Sequence, residues 1–160
     1  MRENEYMDKI LEVKNLTVGY GNTPVVQNAS MTLHKGEIVG LVGESGCGKS
    51  TFLRTLMMLT DENAHIMSGT ITFENKNLAD MTEEQLRLIR GQDISMVFQN
   101  SAEACNPVQT IGYHFWETMN CHGEKHSKKE CNKKAAELLK QLRLQKPERI
   151  LKSYPFELSG

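Results

Sequence analysis

Gly43-Glu44-Ser45-Gly46-Cys47-Gly48-Lys49-Ser50 has the spacing G-x-x-x-x-G-K-[ST], that of the phosphate-binding P-loop. Each fixed position has a chemical reason. The glycines allow backbone conformations closed to other residues and let the main chain approach phosphates. Successive backbone N–H groups then form a concave nest for anionic oxygens. A helix beginning near Lys49 adds unpaired N–H groups and the positive end of its dipole. Lys49 brings a full charge to the β- and γ-phosphates, and the Ser50 hydroxyl is a ligand for Mg²⁺. The phosphate-binding set therefore runs from Gly43 through Thr51.

The flanks agree with the motif. Ile38, Val39, Leu41 and Val42 make residues 37–43 a nearly unbroken apolar run. Such a run predicts a strand buried on both faces of a parallel sheet. Residues 51–59 leave the loop as a mostly apolar helix. Strand, loop and helix follow in the order the motif requires.

The bulk properties leave this reading room. With 160 residues the chain is one domain or part of one, long enough to bury a sizeable core. Lys plus Arg number 19 against 20 Asp plus Glu, which gives no electrostatic reason to expect nucleic acid as a partner. No apolar run reaches the roughly 18 residues of a membrane span, and residues 1–8 carry no secretory h-region. Cys47, Cys105, Cys121 and Cys131 show no paired spacing, so a reducing, cytoplasmic setting is expected.

Before the loop, residues 10–18 and 25–33 read as strands separated by a turn at 19–22, antiparallel in character. After it, residues 60–69 read as a polar loop and 70–73 as a short strand. Thr82 and Gln85 have capping-box spacing ahead of a helix at 86–90. Residues 93–98 read as another strand ending at Gln99. Beyond an Asn106-Pro107 break, Ile111, Phe115 and Met119 recur at helical spacing. An amphipathic helix is predicted over 128–144, with Cys131, Ala135, Leu138, Leu139 and Leu142 as apolar positions, and a short helix over 148–152 after Pro147. The expected organisation is a β-rich and α/β part over 1–99 followed by a helical subdomain over 100–160.

A P-loop alone does not separate transport ATPases, GTPases, kinases and helicases. "VGESGCGKST", "ISMVFQ", "NPVQTIG" and "YPFELSG" stand in the order and approximate spacing of the ATP-binding subunits of ABC transporters. The chain resembles these subunits, and among them the peptide/nickel import group. The resemblance implies an α/β P-loop NTPase core with an antiparallel β part and a helical subdomain, incomplete at its C-terminus. It implies that Tyr20 stacks on adenine, for which an aromatic face is a suitable platform. Gln99 matches the Q-loop glutamine, whose amide oxygen reaches Mg²⁺ or the attacking water. Leu158-Ser159-Gly160 matches the start of the signature motif, whose Ser159 and Gly160 would bind the γ-phosphate of ATP held by an opposite subunit. The implied cofactors are ATP and Mg²⁺. The implied partners are a second ATP-binding subunit, membrane permease subunits and, indirectly, a substrate-binding protein, with the chain peripheral on the inner face of the cell membrane.

The sequence departs from the family pattern in places. Asn100-Ser101 stand where Asp-Pro is common, Ala104-Cys105 where Ser-Leu is common, and Phe156 where histidine is frequent. No apolar strand ending in Asp-Glu follows the signature within these residues. The resemblance therefore implies a chain that holds phosphates without supplying the general base. The alternatives are a nucleotide-binding or scaffold fragment, and an ABC ATPase outside transport. A GTPase is disfavoured because no Asn-Lys-x-Asp appears. Two further patterns take plainer readings. Cys121, His122, His126 and Cys131 fit no common zinc spacing, and the lysines from Lys125 to Lys146 read as a solvated helix face.

Overall fold

The computed structural model describes residues 8–99, 104–121, 123 and 125–158. The chain divides after Ser95 into two compact units. The first is built on an antiparallel sheet of order β2-β1-β3-β4, with β1 at Lys9–Tyr20, β2 at Thr23–His34, β3 at Ala64–Phe73 and β4 at Lys76–Asn77.

The inward positions of β1 change phase. Leu11 and Val13 are buried at odd positions, Leu16 and Val18 at even ones. A one-residue slip would turn the second pair outward. A bulge absorbs it: Asn15 has φ 48°, and the register shifts there against both neighbouring strands. Asn is among the few residues that take this left-handed conformation readily. Gly69 on β3 makes room, since a Cβ there would lie 2.5 Å from the Lys14 and Asn15 carbonyl oxygens.

The helix α1 (Lys49–Leu56) packs on β1 and β2. Phe52 and Leu56, one turn apart, join Leu11, Val13, Leu16, Val18, Val26 and Ile71 in the core. The helix α2 (Glu83–Ile89) starts at the expected capping box: Thr82 N donates to Gln85 Oε1 at 2.9 Å and Gln85 N to Thr82 Oγ1 at 3.3 Å. Leu78 and Leu86 belong to the same core. Arg90, just past α2, finishes α1. Its Nε donates to Met57 O at 2.9 Å, one terminal nitrogen donates to Met58 O at 2.8 Å, and the other pairs with Glu83. These carbonyls belong to the turn that ends α1 and have no intrahelical donors. Arg90→Ala is expected to cost about 2 kcal/mol, the scale of hydrogen bonds from a charged donor. A lowered urea midpoint with unchanged slope would show it.

Two expected strands are not strands. Residues 37–43 run without a ladder partner, and Ile38 and Val42 are 97% and 94% exposed. Residues 93–98 make only an isolated parallel bridge, Arg90 to Ile94, and Val97 is 92% exposed. An apolar run expresses a preference for burial, but a strand also needs a neighbour to exchange hydrogen bonds with. Among the described residues every sheet strand pairs antiparallel, and none reaches 37–43. In the other direction, β3 begins at Ala64, six residues before the predicted strand at 70, and α1 ends at Leu56 rather than at 59.

The second unit holds α3 (Ile111–Asn120), α4 (Lys128–Gln141) and α5 (Pro147–Lys152). Thr110 and Ser127 cap α3 and α4 by accepting from Tyr113 N and Glu130 N. Ala135, Leu139 and Leu151 are buried with Ile111, Phe115 and Ile150 against them. Cys131 lies on this buried face and is fully covered. Leu138 and Leu142 do not: both are exposed, and α4 stops at Gln141 instead of 144. The 3.6-residue period puts Leu138 at the margin of the Cys131–Ala135–Leu139 stripe, about 60° from its centre, and Leu142 in line with the stripe but past the last residue of α4. Backbone meets backbone at Gly112, where a Cβ would come 2.8 Å from Leu151 O.

Candidate functional site

The glycine-rich loop connects segment 37–43 to α1 in the first unit. Gly46 has φ 81° and Gly48 φ 89°, both in the left-handed region that glycine enters without strain. Gly48 is the N-cap residue of α1, and it faces β2: a Cβ there would lie 3.1 Å from Val25 O and 3.2 Å from Val25 Cγ1 and Val26 Cγ2. Gly43 is tight for another reason, since its Cβ would meet Cys47 Sγ at 2.7 Å.

The start of α1 differs from those of the next three helices. α2, α3 and α4 each have a Thr or Ser side chain accepting from the first turn. α1 has no side-chain cap and no acidic residue in its first turn. Its leading N–H groups are therefore left for an acceptor from outside the helix. The first capture inside the loop is weak, with Cys47 N to Glu44 O at 3.4 Å, while regular helical bonding starts with Phe52 N to Gly48 O at 2.8 Å.

Lys49 folds back over the loop. Its Nζ donates to Gly43 O at 2.8 Å and Glu44 O at 2.5 Å, and lies 3.5 Å from Cys47 Sγ. The ammonium is thus held at the rim of the loop by its own carbonyls. Ser50 and Thr51 follow on the first turn, with Ser50 exposed. Positive-φ glycines, an uncapped helix start and a lysine at the rim suit an oxyanion bearing several charges. A pyrophosphate or triphosphate fits that donor set; a neutral ligand would leave the ammonium uncompensated.

Cys47 is exposed and next to this ammonium. A maleimide is expected to label it, and saturating Mg-ATP is expected to slow that labelling. The buried Cys131 serves as the internal control in the same digest. Equal rates with and without ATP would argue against a ligand seated over Cys47.

Tyr20 lies in the same unit as the loop. It ends β1, paired with Thr23 on β2 and Ala64 on β3, and is 36% exposed. Its hydroxyl donates to Asp61 Oδ2 at 2.8 Å. That bond, with desolvation and the Asp61 charge, raises the phenol above its ordinary value, while Thr51 and Arg54 act the other way. Gln99 is an exposed turn residue in the second unit. Loop and glutamine are therefore described in separate units. Ser159 and Gly160 lie outside the described residues, as does His122. Sequence reasoning missed Asp61, Arg54 and Val25. The first two are ordinary surface residues by position, and no periodicity marks Val25 as the wall behind Gly48.

With this geometry in hand, comparison with known proteins places the chain. It belongs to the ABC transporter family: the ABC_tran family model matches residues 26–160. The dipeptide transport ATP-binding protein DppD of Lactococcus lactis subsp. cremoris (strain MG1363) is 39% identical over 157 residues, covering 96% of this chain and 45% of that protein. The metal-staphylopine import system ATP-binding protein CntD of Staphylococcus aureus (strain NCTC 8325 / PS 47) is 39% identical over 153 residues, covering 94% and 56%. Among solved structures, a dimer of the bacterial ABC transporter cassette MJ0796 superposes with a TM-score of 0.79 at 27% identity, covering 94% of this chain and 64% of that one. The chain spans about half the length of the curated relatives it matches. Among the described residues no helix is long and apolar enough to cross a membrane.

Proposed function

We propose that this chain is the nucleotide-binding portion of an ATP-binding subunit that powers ABC-type import of peptides or nickel. The observation that carries the reading is the bare start of α1 behind the glycine-rich loop, with Lys49 at its rim. In this reading the N–H groups of residues 44–51 and the Lys49 ammonium bind the phosphates, and Tyr20 stacks on the adenine. Ser50 and Gln99 are the residues that would hold Mg²⁺, which supplies charge neutralisation to the phosphate oxygens when bound. Ser159 and Gly160 would serve a nucleotide held by a second subunit, in keeping with the dimeric cassette it resembles. Dipeptide transport and metal-staphylopine import, the roles named for the similar proteins, support the transport role. Permease subunits, and a substrate-binding protein behind them, are the corresponding partners, on the inner face of the cell membrane.

A second reading applies to these 160 residues taken alone: a fragment that binds nucleotide without turning it over. It is favoured by segments 37–43 and 93–98, which form no strand and expose Ile38, Val42 and Val97. Hydrolysis needs a positioned water and metal beside the γ-phosphate, and no carboxylate in the first turn of α1 offers a base. Calorimetry of the chain with ATP is expected to show binding that tightens with Mg²⁺, and phosphate release at background. No heat of binding with either form would sink the nucleotide reading. Turnover abolished by Lys49→Ala would sink the second reading.

A further inference from the structure

Tyr20 is tied down at both ends. Its backbone is in the ladder opposite Ala64. Its hydroxyl is held by Asp61, whose other carboxylate oxygen accepts from Arg54 Nη1 at 3.2 Å. Arg54 is in the last turn of α1, three residues beyond Thr51. Asp61 is itself fixed, because its carbonyl accepts from Ala64 N at 2.9 Å. A closed circuit therefore joins the end of β1, the turn before β3 and the helix that leaves the glycine-rich loop. Within it Tyr20 remains 36% exposed.

The bond lies wholly within this chain and needs no ligand to complete it. A side chain ordered in advance does not have to lose that freedom on binding, so a base stacked on it is held more tightly. The exposed Arg54–Asp61 pair adds little to stability in its own right. Its consequence is orientation. We infer that Asp61, clamped by Arg54, is the positioning residue that holds the Tyr20 ring in place for a purine base, and so governs base affinity separately from triphosphate affinity. The inference rests on the proposed reading of loop and Tyr20 as one nucleotide site.

The test is calorimetry with two probes, Mg-ATP and Mg-tripolyphosphate, on the 160-residue chain and its variants. Asp61→Ala and Tyr20→Phe are each expected to weaken Mg-ATP about three- to tenfold, the size expected for ordering one side chain. The double variant should lose no more than either single one, because both remove the same bond. Tripolyphosphate affinity should stay unchanged in all of them, which also shows that the loop is folded. Asp61→Asn, whose amide oxygen can still accept from the phenol, should recover most of the ATP affinity. In protein labelled with ¹³Cζ-tyrosine, the Tyr20 resonance should titrate at lower pH in Asp61→Ala than in wild type. Unchanged ATP affinity in Asp61→Ala and Tyr20→Phe would overturn the inference, as would equal losses for both probes. Wild-type chain that binds tripolyphosphate as tightly as ATP would overturn the base platform alone. Wild-type chain that binds neither would overturn the nucleotide site on which the inference rests.

Discussion

Lys49→Ala is expected to weaken Mg-ATP binding about 100-fold, a loss of roughly 2.7 kcal/mol. The size follows from the role of the ammonium. Within residues 43–50 it is the only full positive charge on a side chain, and its three neighbours are two carbonyl oxygens and a thiol. Removing one partner of a desolvated, hydrogen-bonded charge pair typically costs about 2–5 kcal/mol. Lys49 is only half-buried, which puts the expected loss at the low end.

A thermal-shift measurement reads the same quantity. Ligand at about 100 times its dissociation constant stabilises a protein by about 2.7 kcal/mol, or about 5–11 °C for a chain of this length. At the same ATP concentration the Lys49→Ala variant would gain only about 0.4 kcal/mol. Without ATP the two proteins should unfold within about a degree or two of each other, because surface substitutions seldom move stability by more than about 0.5 kcal/mol. Lys49→Arg should not rescue binding. A planar fork with five donors does not occupy the point at which the ammonium meets Gly43 O and Glu44 O. A shift that survives Lys49→Ala undiminished would remove the loop from the nucleotide reading.

What could be read in the sequence, and what could not, follows from how each feature is encoded. The loop and the start of α1 are local: glycines, a lysine and an apolar turn within a dozen residues specify them. The Thr82–Gln85 capping box is local in the same way, and it forms. Residues 37–43 were legible only as apolar. Whether an apolar segment becomes a strand depends on a partner elsewhere in the chain, and among the described residues none pairs with it. The early start of β3 was hidden for the opposite reason. Most of its first six residues are exposed, because β4 covers only Thr72 and Phe73 and leaves the rest of β3 at an edge. Only Ala64 and Ile66 face inward there, and two such positions are too short an alternation to mark a strand. The Tyr20–Asp61 bond joins residues 41 apart in sequence, and a polar contact at that range leaves no pattern. Periodicity misled at Leu138, which lies at the margin of the buried stripe on α4, and at Leu142, which is in line with the stripe but beyond the end of the helix.

The second large effect separates two glycines that lie in the same loop. Gly46→Ala is expected to cost about 1 kcal/mol of stability, and Gly48→Ala about 2 kcal/mol or more. Both residues have φ in the left-handed region, where an L-residue carries a penalty of roughly 1–2 kcal/mol. Alanine also restricts the unfolded chain, which offsets part of that penalty by about 0.4–1 kcal/mol. At Gly46 nothing lies within 4 Å of the added Cβ, so backbone strain is the whole effect. At Gly48 the Cβ meets a carbonyl oxygen and two valine methyls at 3.1–3.2 Å. Val26 is in the core and the Val25 carbonyl belongs to β2, so neither gives way readily. The strain must go into α1, tilting its first N–H groups away from the loop. Gly48→Ala should therefore lose Mg-ATP affinity along with stability, whereas Gly46→Ala should lose affinity only through the loop. A double-mutant cycle isolates the packing part. Val25→Ala removes the Cγ1 contact, so it should return some of the stability lost in Gly48→Ala and none in Gly46→Ala. Urea unfolding of the single and double variants measures this. Equal costs for the two glycine substitutions, with no coupling to Val25, would mean that contact with β2 does not set the angle at which α1 leaves the loop.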